Sequence, residues 1–317
     1  MTTNISNNNS TSNSSHDKTM AGLLTSGCIP WLAVIILECL ATVILNIITI
    51  IVFVKQRQLQ RRSTYLIIHL TIVDLLVGAV SGPLNVYYEM LHCIFVDNIP
   101  YLSWPSYLIL SVRLFFPLAS LINLAVISLE RLHASLLPFR HRLLKKWVYG
   151  VMIAAIWIAT ISREYIQARL YFYPGNFDFN TALALYYLHH FASLFAICVS
   201  CGYIFIKVRC SRHPRHHGAA SLRERKLTTT LLIIALVSLL SWLPFSIIYI
   251  ILNTVRSGPW NSFYHFELTA LILYLANSLA NPIIYSLRMP EFKACVVRMF
   301  RWAPRHDNAA DLPRNNR

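Results

Sequence analysis

Runs of mostly apolar residues alternate along the chain with short polar connections, and seven of them are long: 30–54, 64–91, 104–135, 147–167, 181–208, 226–253 and 263–287. A helix needs about 20 residues to cross roughly 30 Å of hydrocarbon at about 1.5 Å per residue, and each run meets that length. Lipid offers the backbone no hydrogen-bond partners, so runs of this kind must satisfy their own polar groups as helices. The pattern predicts an all-α fold: a seven-transmembrane helix bundle over 28–288, a disordered segment 1–27 before it, and residues 289–301 and a tail 302–317 after it.

Composition agrees, since 56% of residues are hydrophobic and 13% charged, against about 25% charged in soluble domains. A net charge of +15 raises nucleic acid as a partner, but the placement of the basic residues excludes it. They gather in alternate connections: Lys55, Arg57, Arg61 and Arg62 in the first, Arg140, Arg142, Lys145 and Lys146 in the third, and six between 207 and 225 in the fifth. Even-numbered connections carry mixed charge, with Asp97 in one and Arg169 and Asp178 in another. Basic loops stay in the cytosol, so the N-terminus lies outside. Residues 1–19 form an Asn/Ser-rich tract with glycosylation sequons at Asn4, Asn8, Asn9 and Asn13, triplets that such a tract also generates by chance. The first apolar run is too long and starts too late for a cleavable leader, and serves as its own signal anchor.

Of the seven cysteines, Cys39, Cys198 and Cys201 lie inside apolar runs and Cys210 on the cytosolic side. Cys28 and Cys93 fall near the outer ends of the first two spans and can pair there.

Ionisable groups inside a bilayer cost at least about 2.5–3.5 kcal/mol each, so each calls for a partner or a purpose. Asp74 stands 11 residues above Ser63, about 16 Å up its helix and near mid-membrane. Ser120 reaches a similar depth 11 residues above Arg131, and Asn277, Ser278 and Asn281 come from the seventh span and Asn46 from the first. Oxygen ligands at one depth suit a small hard cation; alternatively the groups hydrogen-bond one another as interhelical glue, worth about 1 kcal/mol each. At the cytosolic face Glu130 and Arg131 end the third span and Glu224 opens the sixth, where they either latch two helices or stand as solvated charges. Pro83, Pro117, Pro244 and Pro282 interrupt apolar runs and permit kinks.

These residues resemble the rhodopsin-like (class A) G-protein-coupled receptors over 46–300. The seventh span reads NSLANPIIY at 277–285, similar to the family's NPxxY; the sixth reads SWLP at 241–244, similar to CWxP; the third ends ERL at 130–132, a variant of DRY. Asn46, Asp74, Trp157 and Tyr203 hold the marker positions of the first, second, fourth and fifth spans, and parts of the pattern are similar to the melanocortin, lipid and adenosine branches. The resemblance implies a receptor at the plasma membrane that passes binding of an extracellular ligand to a heterotrimeric G protein and to arrestin. It implies a sodium ion as allosteric ligand at Asp74, Ser120, Asn277, Ser278 and Asn281, with Trp242 nearby. Arg131 would contact the G protein, held by Glu130 and Glu224 at rest; Tyr203 and Tyr285 would re-bond near it on activation, and Phe139 would plug into the G protein. Phe292, Val296 and Phe300 recur every fourth residue in 289–301, which predicts an amphipathic eighth helix along the inner lipid surface, with Cys295 a lipidation site. The chain departs from the family at Ser106, where a cysteine usually bridges to the second outer loop, since 168–180 has no cysteine; at Phe195, in place of a proline; and at Ser238, in place of an aromatic.

Arg113 stands 18 residues above Arg131, about 27 Å outward, on a helix that lines the family's ligand pocket. Its charge disfavours a cationic amine and suits an acid, held by a bidentate guanidinium, or a lipid-like ligand. The other reading is an internal ion pair with Glu89 or Glu267. Phe116, Trp242, Phe245, Tyr249 and Tyr274 are the expected apolar walls, with Glu267 nearby. His189 and His190 point about 100° apart, so one faces the bundle. Neither a GxSxG nor an HExxH pattern suggests an enzyme, no two-fold repeat suggests a transporter, and the seventh span has no lysine for retinal. A ligandless, constitutively active receptor is a further reading.

Overall fold

The computed structural model describes residues 9–55, 64–94, 104–172, 179–210, 219–254 and 260–300, all in or between helices. The helices are α1 (Asn9–Lys55), α2 (Thr64–Leu76), α3 (Gly82–Ile94), α4 (Trp104–Leu136), α5 (Pro138–Leu143), α6 (Lys146–Phe172), α7 (Phe179–Cys210), α8 (Ala219–Thr254), α9 (Trp260–Arg288) and α10 (Pro290–Phe300). Six crossings are long and apolar enough to span lipid: Gly27–Lys55, Thr64–Leu91, Tyr107–Leu136, Tyr187–Lys207, Thr228–Ile248 and His265–Arg288. The fourth crossing of this seven-transmembrane bundle is α6, 27 residues long, whose apolar stretch is cut toward its C-terminal end by Arg163 and Glu164.

The second crossing is one helix in two registers. A π turn over Val77–Ser81 joins α2 to α3, and the Gly82 N–H bonds back to the carbonyl of Val77, one residue further than an α-helix allows. Pro83 follows at once and has no N–H to give, so the wide turn absorbs the break and rotates α3 relative to α2. Two glycines let α1 lie against this turn. A Cβ on Gly82 would overlap the Cys39 sulfur, and one on Gly78 would come within 3.0 Å of the Cys39 carbonyl oxygen.

α9 runs closely along α8, and α4 packs against α7, α6 and the second crossing. Leu121, Leu124, Ile156, Ile197 and Ile234 are fully enclosed between them. Leu37, Ile158, Phe195 and Leu240 face outward, which is the favourable direction when the solvent is hydrocarbon. Where the N-terminal end of α4 meets the C-terminal end of α6, Trp104 stacks on Phe172 at 3.7 Å with Tyr107 edge-on at 5.1 Å. This ring stack joins the two helices beside Ser106, where the family's usual bridge is missing.

α1 is described from Asn9, upstream of the membrane span. Ser and Asn are poor helix formers alone, but extending a formed helix avoids the cost of nucleating one. Asn4 and Asn8 lie outside the described residues, as do the side chains of Asn9 and Asn13.

Candidate functional site

Three clusters of polar side chains sit along the bundle axis. The deepest is built on Asp74 of α2, which has no exposed surface. Ser120 Oγ of α4 donates to its Oδ1 at 2.7 Å, Ser278 Oγ of α9 to the same oxygen at 2.8 Å, and Asn281 Nδ2 to Oδ2 at 2.7 Å. Asn46 of α1 donates to the carbonyls of Thr42 and Ser278, at 2.9 and 3.2 Å, and so fastens a fourth helix to the same point. The buried Oδ1 of Asn277 meets no donor among the described residues. Every donor to Asp74 is neutral, so the carboxylate is hydrogen-bonded but its charge is unbalanced by any described side chain. Carboxylate, hydroxyl and amide oxygens are the ligand types that hard cations take.

At the C-terminal end of α4, Arg131 grips the neighbouring Glu130 through Nε at 2.5 Å and Nη2 at 2.7 Å. His141 of α5 reaches the same carboxylate at 2.7 Å and Tyr149 Oη of α6 donates to it at 3.2 Å. Both Glu130 and Arg131 are 3% exposed, so these are charge-assisted bonds shielded from water. Phe139 on α5 projects freely, 82% exposed. Tyr285 is enclosed instead, edge-on to Phe53 at 5.5 Å and beside Phe292 of α10 at 6.0 Å, while Tyr203 stays largely exposed on α7. Phe292 and Val296 pack inward from α10 and Cys295 is a partly buried free thiol. The side chains of Glu224 and Phe300 lie outside the described residues.

At the end of the bundle opposite Arg131 a narrow cleft opens between α4, α6, α7, α8 and α9. Trp242, Phe245 and Tyr274, expected as walls, line it; so do Leu114, Leu118, Tyr187, Arg163, His190 and Ser246. Trp242 lies edge-on to Tyr274 at 4.5 Å, and Phe245 stacks on Tyr274 at 4.6 Å. His190 Nε2 is 2.6 Å from Ser246 Oγ, which itself donates to the Trp242 carbonyl at 2.8 Å. Arg163 is ion-paired with its neighbour Glu164.

Arg113, Phe116 and Glu267 do not line this cleft, and the side chain of Tyr249 lies outside the described residues. Arg113 turns instead to α3, 3.8 Å from Glu89 and with its guanidinium 3.9 Å above the ring of Tyr88. Glu267 of α9 interacts electrostatically with both. The internal ion pair is thus the geometry found. Phe116 is partly buried against the core, edge-on to Phe115 at 5.2 Å. Cys28 is disulfide-bonded; the side chain of Cys93 lies outside the described residues.

Sequence reasoning overlooks Arg163. An arginine inside an apolar run is itself a signal, because such groups mark functional sites in membranes. Of the histidine pair, His190 faces the bundle and is 8% exposed.

The chain belongs to the 7 transmembrane receptor (rhodopsin family), whose model matches residues 45–285. It is 25% identical to the histamine H2 receptor of Canis lupus familiaris over 296 residues, covering 86% of this chain and 79% of that receptor. It is 24% identical to the adenosine receptor A3 of the same species over 306 residues, covering 86% of this chain and 91% of that one. Dopamine receptor 2 of Drosophila melanogaster is 35% identical over 132 residues, 41% of this chain and 23% of that protein.

Proposed function

We propose that this receptor sits in the plasma membrane with its N-terminus outside, binds a non-amine ligand in the outer cleft, and activates a heterotrimeric G protein through Arg131. The observation that carries the reading is the convergence of α4 and α9 on Asp74. One buried carboxylate couples helices that line the cleft to the helix that ends in Arg131, so a ligand that shifts them changes what the cytosol meets. Two of the similar receptors are named for amines, histamine and dopamine. Here Arg163 is the one formally charged side chain among the described residues that line the cleft, and a cationic ligand would meet like charge there in a medium of low dielectric.

A sodium ion held by Asp74, Ser120, Ser278 and Asn277 would neutralise the acid and hold the resting form. Glu130 would keep Arg131 until activation, and the tie between them supports ligand control over a constitutively active receptor. Phe139 is placed to enter a G protein, arrestin would compete for the same face, and α10 would lie on the inner lipid surface with Cys295 open to acylation. Cys28 would bond Cys93 and fix the outer ends of α1 and α3.

The test is guanine-nucleotide exchange on a panel of purified G proteins by the receptor in lipid nanodiscs. Basal or ligand-driven exchange above empty discs is expected for at least one of them. Arg131→Ala should lower it at least tenfold with cell-surface amount unchanged; exchange unaffected by that substitution would refute the role of Arg131.

A further inference from the structure

The end of the bundle that holds Arg131 also carries a patch of basic side chains with no acid among them. Arg140 of α5, and Lys145 and Lys146 at the start of α6, are all exposed. None of the three pairs with a carboxylate among the described residues, and the chain has no Asp or Glu from 131 to 163. Lys207 of α7 differs, since its ammonium group donates to the Ser135 carbonyl. A patch of one sign draws in the opposite charge.

The residues that follow in α6 point to the kind of anion. Trp147, Val151, Ile158, Ile161 and Tyr165 are all exposed, and at about 100° per residue they fall on one face of the helix. That face turns away from the bundle, so in a bilayer it meets acyl chains. From Trp147 to Tyr165 it rises about 27 Å, close to the roughly 30 Å of the hydrocarbon core, with an aromatic ring at each end. Trp and Tyr gather where hydrocarbon gives way to headgroups. Trp147 therefore sits at headgroup level, and the lysines just before it lie at the depth of lipid phosphates.

We infer that Arg140, Lys145, Lys146 and Trp147 form a binding site for an anionic phospholipid, its phosphate among the three cations and an acyl chain along the Trp147 to Tyr165 face of α6. The guanidinium takes two phosphate oxygens in parallel bonds, and the ammonium groups act as point charges. The indole covers the start of the acyl chain with its apolar body and keeps its N–H toward water. Phosphatidylcholine offers the same chains, but its choline cancels the phosphate charge. The orientation proposed above assigns this lipid to the cytosolic leaflet, and binding in detergent tests the site without relying on that orientation.

Four probes are titrated into detergent-purified receptor with no G protein present: dioctanoyl phosphatidylserine, dioctanoyl phosphatidylinositol bisphosphate, dioctanoyl phosphatidylcholine, and glycerophosphoserine, a headgroup without chains. Thermal stabilisation is the readout. At least one acidic lipid is expected to act at a concentration tenfold or more below phosphatidylcholine, with glycerophosphoserine inert over that range. The double variant Lys145→Gln/Lys146→Gln should unfold at the wild-type temperature without lipid and lose the preference for acidic lipid, and Arg140→Gln should weaken that preference severalfold. Equal action of phosphatidylcholine, equal action of the chainless headgroup, or an acidic preference that survives the double variant would overturn the inference. A fall in lipid-free stability would mark the lysines as structural and count against it too. Lower nucleotide exchange by the double variant in discs of phosphatidylcholine alone, with lipid selectivity intact, would assign the patch to the G protein instead. Selective lipid binding with no exchange on any G protein would support the site while counting against the receptor reading.

Discussion

At the inner end of α4 one carboxylate, Glu130, collects Arg131, His141 and Tyr149, and every partner is a donor. At the outer end the proportions reverse: Arg113 alone faces Glu89 and Glu267, while Arg163 pairs with Glu164 at the edge of an open cleft. The inner cluster is satisfied from within the protein, so it stays shut unless work is done on it. The outer half is ion-paired too, but it borders a cleft. Asp74 lies between them with three neutral donors and no described counter-charge.

The largest effect that separates the ends is on folding. Arg113→Gln leaves Glu89 buried without its cation, which costs about 3–5 kcal/mol. A steep loss of surface expression is expected, recovered in large part by Arg113→Leu/Glu89→Leu. Equal expression of the single and double variants would show that the pair carries no structural weight.

At the inner end the penalty should appear as activity instead. Glu130→Gln weakens the charge-assisted bonds to Arg131, worth about 1.5–3 kcal/mol, and basal nucleotide exchange is expected to rise about tenfold. No rise would show that Arg131 is not restrained by its neighbour. Smaller still is Tyr149→Phe, which deletes one hydrogen bond of about 1 kcal/mol and should raise basal exchange severalfold at most. An effect as large as that of Glu130→Gln would make Tyr149, not Arg131, the main restraint.

Much of this is legible in the chain because lipid makes polar residues conspicuous. Asp74, Ser120, Ser278 and Asn281 are marked by depth alone, and the helices bring them within hydrogen-bonding distance of one another. What the chain does not disclose is rotation about a helix axis. Arg113 and Leu114 differ by about 100° around α4, and it is Leu114 and Leu118 that line the cleft while Arg113 turns to α3. The π turn at Val77–Ser81 contributes to that meeting, since it rotates Glu89 after Pro83, and no periodicity announces one inserted residue. Arg163 is hidden for a similar reason, because which face of α6 meets α4 and α7 is decided by packing. His141 and Tyr149 join Glu130 through a turn after α4 that the apolar pattern does not describe.

The most direct trial of the whole account is a sodium titration of ligand-free nucleotide exchange in nanodiscs, with wild type and Asp74→Asn side by side and choline holding ionic strength constant. Wild-type exchange should fall severalfold as sodium rises, and the Asp74→Asn variant should show a flat response. Parallel curves for the two proteins would mean that Asp74 neither binds the ion nor joins the cleft to Arg131.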